Sequence, residues 1–287
     1  AAAEVELTPF AVIPAKAGIQ LLMVGLLGLA ACARTADTIP SASSGNSLCQ
    51  QVRAVPDEVR GDFSLAPFYK KYVDANGLPI LSSDAPDDES LRRACRLVVN
   101  MLSKRSDARE KLIELRVRFV VIGRDEGTAD IPEYGFRDKP QAEKDAINAR
   151  ARGIGSQASS CGEENLMCLA GDRYPAESIC VHEFSHTIHE ALKQLDPNFE
   201  DRLKADFNDA SSRGILKDTY RSENYDEYWA EGVQDWYDTN AEADPPDGIH
   251  NAVNTRKELE SFDPRLFALI GEVFPERIDW GNCHIKP

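Results

Sequence analysis

Val181-His-Glu-Phe-Ser-His-Thr-Ile-His189 is the stretch on which the reading of this chain turns. Within it His182, Glu183 and His186 form the spacing HExxH. On a helix, residues four apart share one face a turn apart, so two imidazoles can close on a single zinc ion while the intervening glutamate points at the open side of the metal. Pro175 marks an expected helix start and Asp196-Pro197 its stop. At about 100° per residue, Val181, Phe184, Ile188, Ala191, Leu192 and Leu195 fall in one apolar arc, with His182, Glu183 and His186 outside it. His189 lies almost over His182 on this wheel but about 10 Å further along the axis. It is therefore expected at the cleft edge or surface, with no role.

A catalytic zinc requires a third protein ligand. The better source is Asn224-Tyr-Asp-Glu-Tyr-Trp-Ala-Glu-Gly-Val-Gln-Asp-Trp-Tyr237. Asn224 is a helix cap, Trp229, Ala230, Val233, Trp236 and Tyr237 share one arc, and Glu227, Glu231 and Gln234 share the other. Two glutamates four apart ordinarily mark a solvated face, and Glu227 could serve only as part of a cap. Placed downstream of HExxH, however, a carboxylate stripe opposite an apolar face is what a glutamate-liganded zinc site needs.

With both segments in view, Tyr220-Arg-Ser-Glu-Asn-Tyr-Asp-Glu-Tyr-Trp-Ala-Glu231, following HEFxH, resembles the catalytic domain of anthrax lethal factor and its relatives among the gluzincin metallopeptidases. The resemblance implies a zincin-like fold and hydrolysis of a peptide bond in a peptide or protein substrate. It implies that His182, His186 and Glu227 bind one Zn2+, that Glu183 is the general base acting on the zinc-bound water, and that Tyr220 stabilises the transition-state oxyanion. Glu231 would stand behind the ligands and orient a ligand histidine. Substrates of such enzymes often extend a sheet edge, which makes the strand expected at Val117 to Ile122 the candidate docking strand. The likeness spans about His182 to Tyr237, with Tyr228-Trp229 in place of two phenylalanines. Kinase-cleaving specificity does not transfer with it.

Outward from this centre the chain reads as α+β, mostly helical with a small sheet. Glu89 to Leu115 has the spacing of two helices, Val117 to Gly123 that of a strand, and Gly153 to Asp172 the composition of a Gly/Ser/Cys loop. Residues 1–31 are expected to be a signal segment, because Leu21 to Ala31 is an uncharged apolar run too short to span a bilayer. Leu29-Ala30-Ala31-Cys32 looks like a bacterial lipobox, which implies lipid attachment at Cys32 and, with Ala33 following, placement at the outer membrane or cell surface. Residues 32–48 read as a flexible tether and 49–287 as the metallopeptidase domain, with a helical part over 49–115 and the catalytic part over 116–287.

Seven cysteines and a formal charge of −15 complete the picture. The negative charge repels phosphate backbones, so nucleic acid is not an expected partner. Removing Cys32 to a lipid anchor leaves Cys49, Cys95, Cys161, Cys168, Cys180 and Cys283, an even set with no C-x2-C pair, expected to form disulfides outside the cytoplasm. Cys161 with Cys168 is the expected local clasp, with Cys180 tied to a distant partner. The competing readings are a surface-exposed binding lipoprotein on the same scaffold and metal binding without cleavage. Neither needs the base Glu183.

Overall fold

The computed structural model describes residues 48–284; the expected signal segment, Cys32 and nearly all of the tether lie outside them. The chain is a mixed α/β structure built on one six-stranded sheet. Its strands are β1 (Arg53–Ala54), β2 (Lys71–Ala75), β3 (Leu78–Ser82), β4 (Arg118–Ile122), β5 (Gly153–Ile154) and β6 (Ala158–Gly162), in the order β1-β2-β3-β4-β6-β5. Asn76 and Gly77 both take positive φ, 58° and 95°, and form the two-residue turn of an antiparallel β2–β3 hairpin. Such turns match the twist of the strands they join. From β3 the sheet continues parallel through β4 to β6, and β5 returns antiparallel along β6 at the edge.

Parallel neighbours require crossovers. After α1 (Asp57–Asp62), the helices α2 (Asp88–Met101) and α3 (Ser106–Glu114) carry the chain from β3 to β4, and α4 (Gln141–Arg150) lies between β4 and β5. α5 (Glu163–Met167) follows β6. The rest is helical: α6 (Ile179–Leu195), α7 (Phe199–Ser212), α8 (Tyr225–Trp236), α9 (Arg256–Phe262) and α10 (Pro264–Val273). Among the described residues no helix is long and apolar enough to cross a membrane.

β4 shows how the sheet divides the core. Phe119 and Val121 join the large apolar cluster shared with α2, α6, α8 and α10, whereas Val120 and Ile122 join a smaller one with Tyr69, Leu81 and Ile131 on the other face. That is the two-residue alternation of a strand covered on both sides. Two expectations are corrected here. β4 is an interior strand, so it has no free edge on which a substrate could dock. The stretch from Gly153 to Asp172 is not a loop, because it holds β5, β6 and α5. Ala158-Ser-Ser-Cys-Gly162 is composed of small residues because β6 is buried throughout, between two strands and beneath α6.

The six cysteines of the described region form three disulfides, Cys49–Cys95, Cys161–Cys180 and Cys168–Cys283. The expected Cys161–Cys168 clasp is therefore wrong, and Cys180 pairs with Cys161, 19 residues earlier, rather than with a remote cysteine. Cys168 cannot reach Cys161 because α5 intervenes between the end of β6 and Cys168. Cys161–Cys180 fastens the first turn of α6 to β6. Peptide mapping without reduction is expected to recover linked peptides for these three pairs alone. Replacing both Cys161 and Cys180 by alanine should lower unfolding stability by about 2–4 kcal/mol in a denaturant titration.

Candidate metal centre

α6 begins at Ile179, four residues later than Pro175 predicts, because the Ser178 hydroxyl accepts from the Val181 N–H as its cap. α8 begins after Asn224, whose side-chain oxygen accepts from the N–H groups of Asp226 and Glu227, both at 2.9 Å. The apolar arcs of both helices are buried as their periodicity requires, except that Leu195 at the end of α6 is only partly covered. Three polar contacts set the two helices against each other. His189 Nδ1 meets Asp226 Oδ1 at 3.0 Å, Trp229 Nε1 donates to the Ser185 carbonyl at 3.1 Å, and His182 Nδ1 meets Gln234 Oε1 at 2.8 Å. Residue numbers fall on one helix as they rise on the other, so the pair is antiparallel. His189, expected at the surface, is 1% exposed and packs among Phe199, Tyr225 and Trp229. It is a structural residue of the helix pair.

This docking brings His182, His186 and Glu227 together. His182 Nε2 lies 3.2 Å from His186 Nε2 and 3.1 Å from Glu227 Oε2, and His186 Nε2 lies 3.4 Å from the same oxygen. Bonds of about 2.0–2.1 Å from a tetrahedral zinc place its donor atoms about 3.3 Å apart, so the triangle has the dimensions of a tripod around one ion. The donor chemistry agrees. Gln234 Nε2 donates to Glu177 Oε2 and to the Ser178 carbonyl, both at 3.2 Å, which leaves its oxygen to face His182 Nδ1. Facing an acceptor, Nδ1 carries a proton, which leaves Nε2 as the nitrogen a neutral His182 can offer to an ion. His182 Nε2, His186 Nε2 and Glu227 Oε2 thus converge on a space that a cation could occupy.

The charges around the triangle point the same way. Burial works against protonation of His182, but the Glu227 hydrogen bond and the charges of Glu183, Glu227 and Glu231 push it up to about 10. Glu227 is itself held well below the usual carboxylate range: burial works against this, but hydrogen bonds from both histidines prevail. Burial raises Glu183, against the lowering pull of the two histidines and of a hydrogen bond from the Gly155 N–H. Tyr220 precedes α8 in a single 3-10 turn, with its ring stacked 6.3 Å from that of His182. Burial and the neighbouring Glu227 raise its phenol, which stays an O–H donor through neutral pH.

Glu231 stands behind His182, further from it than Gln234 does. Its nearest oxygen is 3.6 Å from His182 Nδ1, while its other oxygen accepts from Asn240 Nδ2 at 3.0 Å and lies 3.8 Å from Arg221. The closer contact on His182 Nδ1, at 2.8 Å, is that of Gln234. Arg221, 1% exposed, also meets Asp235 Oδ2 at 3.0 Å, and burial pushes that carboxyl up to about 7 against the pull of the guanidinium. Sequence reading placed Gln234 on the right face without a task, and it passed over Glu177 and Arg221. A buried arginine directly after the candidate tyrosine is the one signal that could have been weighed. Cys168, Cys283 and His284 also cluster, but both thiols are spent in a disulfide.

Two glycines admit the edge strand to this centre. A Cβ on Gly153 would lie 2.9 Å from Glu183 Cγ, and one on Gly155 would lie 2.5 Å from the Glu183 carbonyl oxygen and 2.6 Å from His186 Cβ. Comparisons of the chain with protein-family models, with curated proteins and with solved structures return no match, so the chemistry of the site rests on its donor atoms. Gly155→Ala is expected to cost about 1–3 kcal/mol in a denaturant titration, because the methyl group meets helix backbone that cannot swing away.

Proposed function

We propose that this protein is a zinc metallopeptidase with a zincin-like catalytic domain, His182, His186 and Glu227 holding the ion and Glu183 acting as general base. The observation that carries the reading is the convergence of three donor atoms at 3.1–3.4 Å, with the Gln234 amide directing the His182 lone pair into their midst. A zinc ion held there supplies a Lewis acid that acidifies water and polarises a carbonyl. Glu183, one residue beyond the first ligand and raised by burial, accepts the proton of the attacking water and delivers it to the departing amine. Tyr220 donates its O–H to the carbonyl oxygen as negative charge develops.

The substrate is a peptide or protein segment that binds extended. β5 has a strand neighbour on one side only among the described residues, and its glycines press it against the helix that carries Glu183. An extended peptide laid along that edge passes the metal centre, with main-chain hydrogen bonds supplying affinity. Three disulfides suit an oxidising compartment, in keeping with anchoring through Cys32 outside the cytoplasm.

Purified protein is expected to hold one zinc per chain and to cleave members of a peptide library. Glu183→Ala should keep the zinc and lose about 10²–10⁴-fold in turnover, and Tyr220→Phe should keep the zinc and lose about 10²–10³-fold in kcat. Stoichiometric zinc without any cleavage by the wild type would favour a binding protein on the same scaffold. Proline at Ser156 should raise KM while leaving kcat nearly unchanged, as measured with a cleaved library peptide.

A further inference from the structure

Behind His182 a chain of contacts leads away from the metal ligands to a surface loop. Gln234, fully buried at the last turn of α8, faces His182 with its oxygen and Glu177 with its nitrogen. Glu177 is only 8% exposed, in the turn before α6, and its second oxygen lies 3.5 Å from His250 Nε2. At that length and alignment the contact is an ion pair more than a hydrogen bond. His250 belongs to the segment from Glu242 to Asn254, which is folded on itself: Asp247 Oδ1 accepts from the N–H groups of Ile249 and His250 at 2.9 and 2.8 Å. The same segment reaches the other side of the site, where the Ile249 carbonyl accepts from the Tyr220 N–H at 2.8 Å.

We propose that Glu177 and His250 are positioning residues of the metal centre: Glu177 fixes which end of the Gln234 amide faces His182, and His250 holds Glu177 from a loop that also anchors Tyr220. This rests on the metallopeptidase reading of the site. An amide can present either an oxygen or an NH2 group, and only the oxygen keeps the proton on His182 Nδ1 and the lone pair on Nε2. Neither Gln234 nor His182 can make that choice alone. The anionic Glu177, which accepts only, makes it together with the Ser178 carbonyl. Partners of this kind behind a metal-binding histidine typically set 10–100-fold in metal affinity.

The test is a chelator competition that measures zinc affinity of the full chain, with thermal unfolding of the metal-free protein alongside. Glu177→Ala is expected to bind zinc about 10–100-fold more weakly than wild type. His250→Ala should weaken binding less, because it leaves Gln234 and Glu177 in contact and removes only the group that holds Glu177 from the loop. Glu177→Gln, which can present either end of its amide to Gln234, should bind zinc more tightly than Glu177→Ala but less tightly than wild type, and His250→Gln should restore most of what His250→Ala loses. Cobalt-substituted Glu177→Ala should show an altered visible spectrum, which loss of overall stability alone would not produce. Wild type that binds no zinc overturns the metallopeptidase reading, and this inference with it. Wild type that binds zinc while Glu177→Ala binds within threefold of it overturns this inference alone. Glu177→Gln as tight as wild type overturns the need for an acceptor-only partner at 177, and an unchanged His250→Ala removes His250 from the chain.

Discussion

Two imidazoles and a carboxylate have been taken out of bulk water and pointed at one another, and the rest of the molecule is arranged around the cost of doing so. Each of these groups has given up hydration, so the arrangement persists only if the elements carrying it are held by other means. Those means are visible. α6 and α8 are clamped at both ends and in the middle by His189–Asp226, Trp229–Ser185 and His182–Gln234. Cys161–Cys180 ties the first turn of α6 to the sheet, and Gly232 lets the Leu266 side chain of α10 close against α8, since a Cβ there would lie 2.5 Å from it. On the proposed reading, a cation entering the site would meet its donor atoms already in place.

Electrostatics gives the scaffold its second task. Glu231 and Asp235 lie one and two turns along α8 from Glu227, close enough to add to the negative field. Left bare, they would compete for the histidines and swell the site. Arg221 sits between them, buried, and Asn240 bonds to both, at 3.0 and 2.9 Å. Much of their charge is thereby engaged at the back of the helix, while Glu227 faces the Nε2 atoms of both histidines. Because Arg221 follows Tyr220 directly, the same ion pairs fix the turn that delivers the tyrosine. One buried guanidinium serves both sides of the site.

Much of this centre is legible in the sequence because it obeys helical periodicity. His182, His186, Glu227 and Gln234 could be assigned to faces from spacing alone, and the turn chemistry of Asn224 set the start of α8. What the spacing could not show is contact between elements. Glu231 and Gln234 share a face with Glu227, and the choice of which reaches His182 depends on Arg221, Asn240 and Glu177, residues brought in by other parts of the chain. His189 was misplaced for the same reason: a helical wheel shows direction but not the depth at which α7 and α8 cover it. In the sheet, β6 escaped notice because a strand buried on both sides beneath a helix is built from small residues and so resembles a loop. Asn76-Gly77 between Val73 and Ile80 is a strong hairpin signal that composition alone obscures. The disulfides depend wholly on tertiary proximity, and fifteen pairings of six cysteines carry no preference until the fold is known.

The amide behind His182 has a consequence for the base beside it. Metal-bound histidines are often backed by a carboxylate, which strengthens the ligand but adds a full negative charge nearby. Here that charge would come on top of those of Glu183, Glu227 and Glu231, all of which already act on His182. A further carboxylate would press the Glu183 pKa upward and leave the base less often ionised. Glutamine accepts the same hydrogen bond while remaining neutral, and the charge that orders it, Glu177, stands one residue further out and is balanced by His250. The nearer imidazole is oriented through a neutral spacer, and no further full negative charge is added beside Glu183.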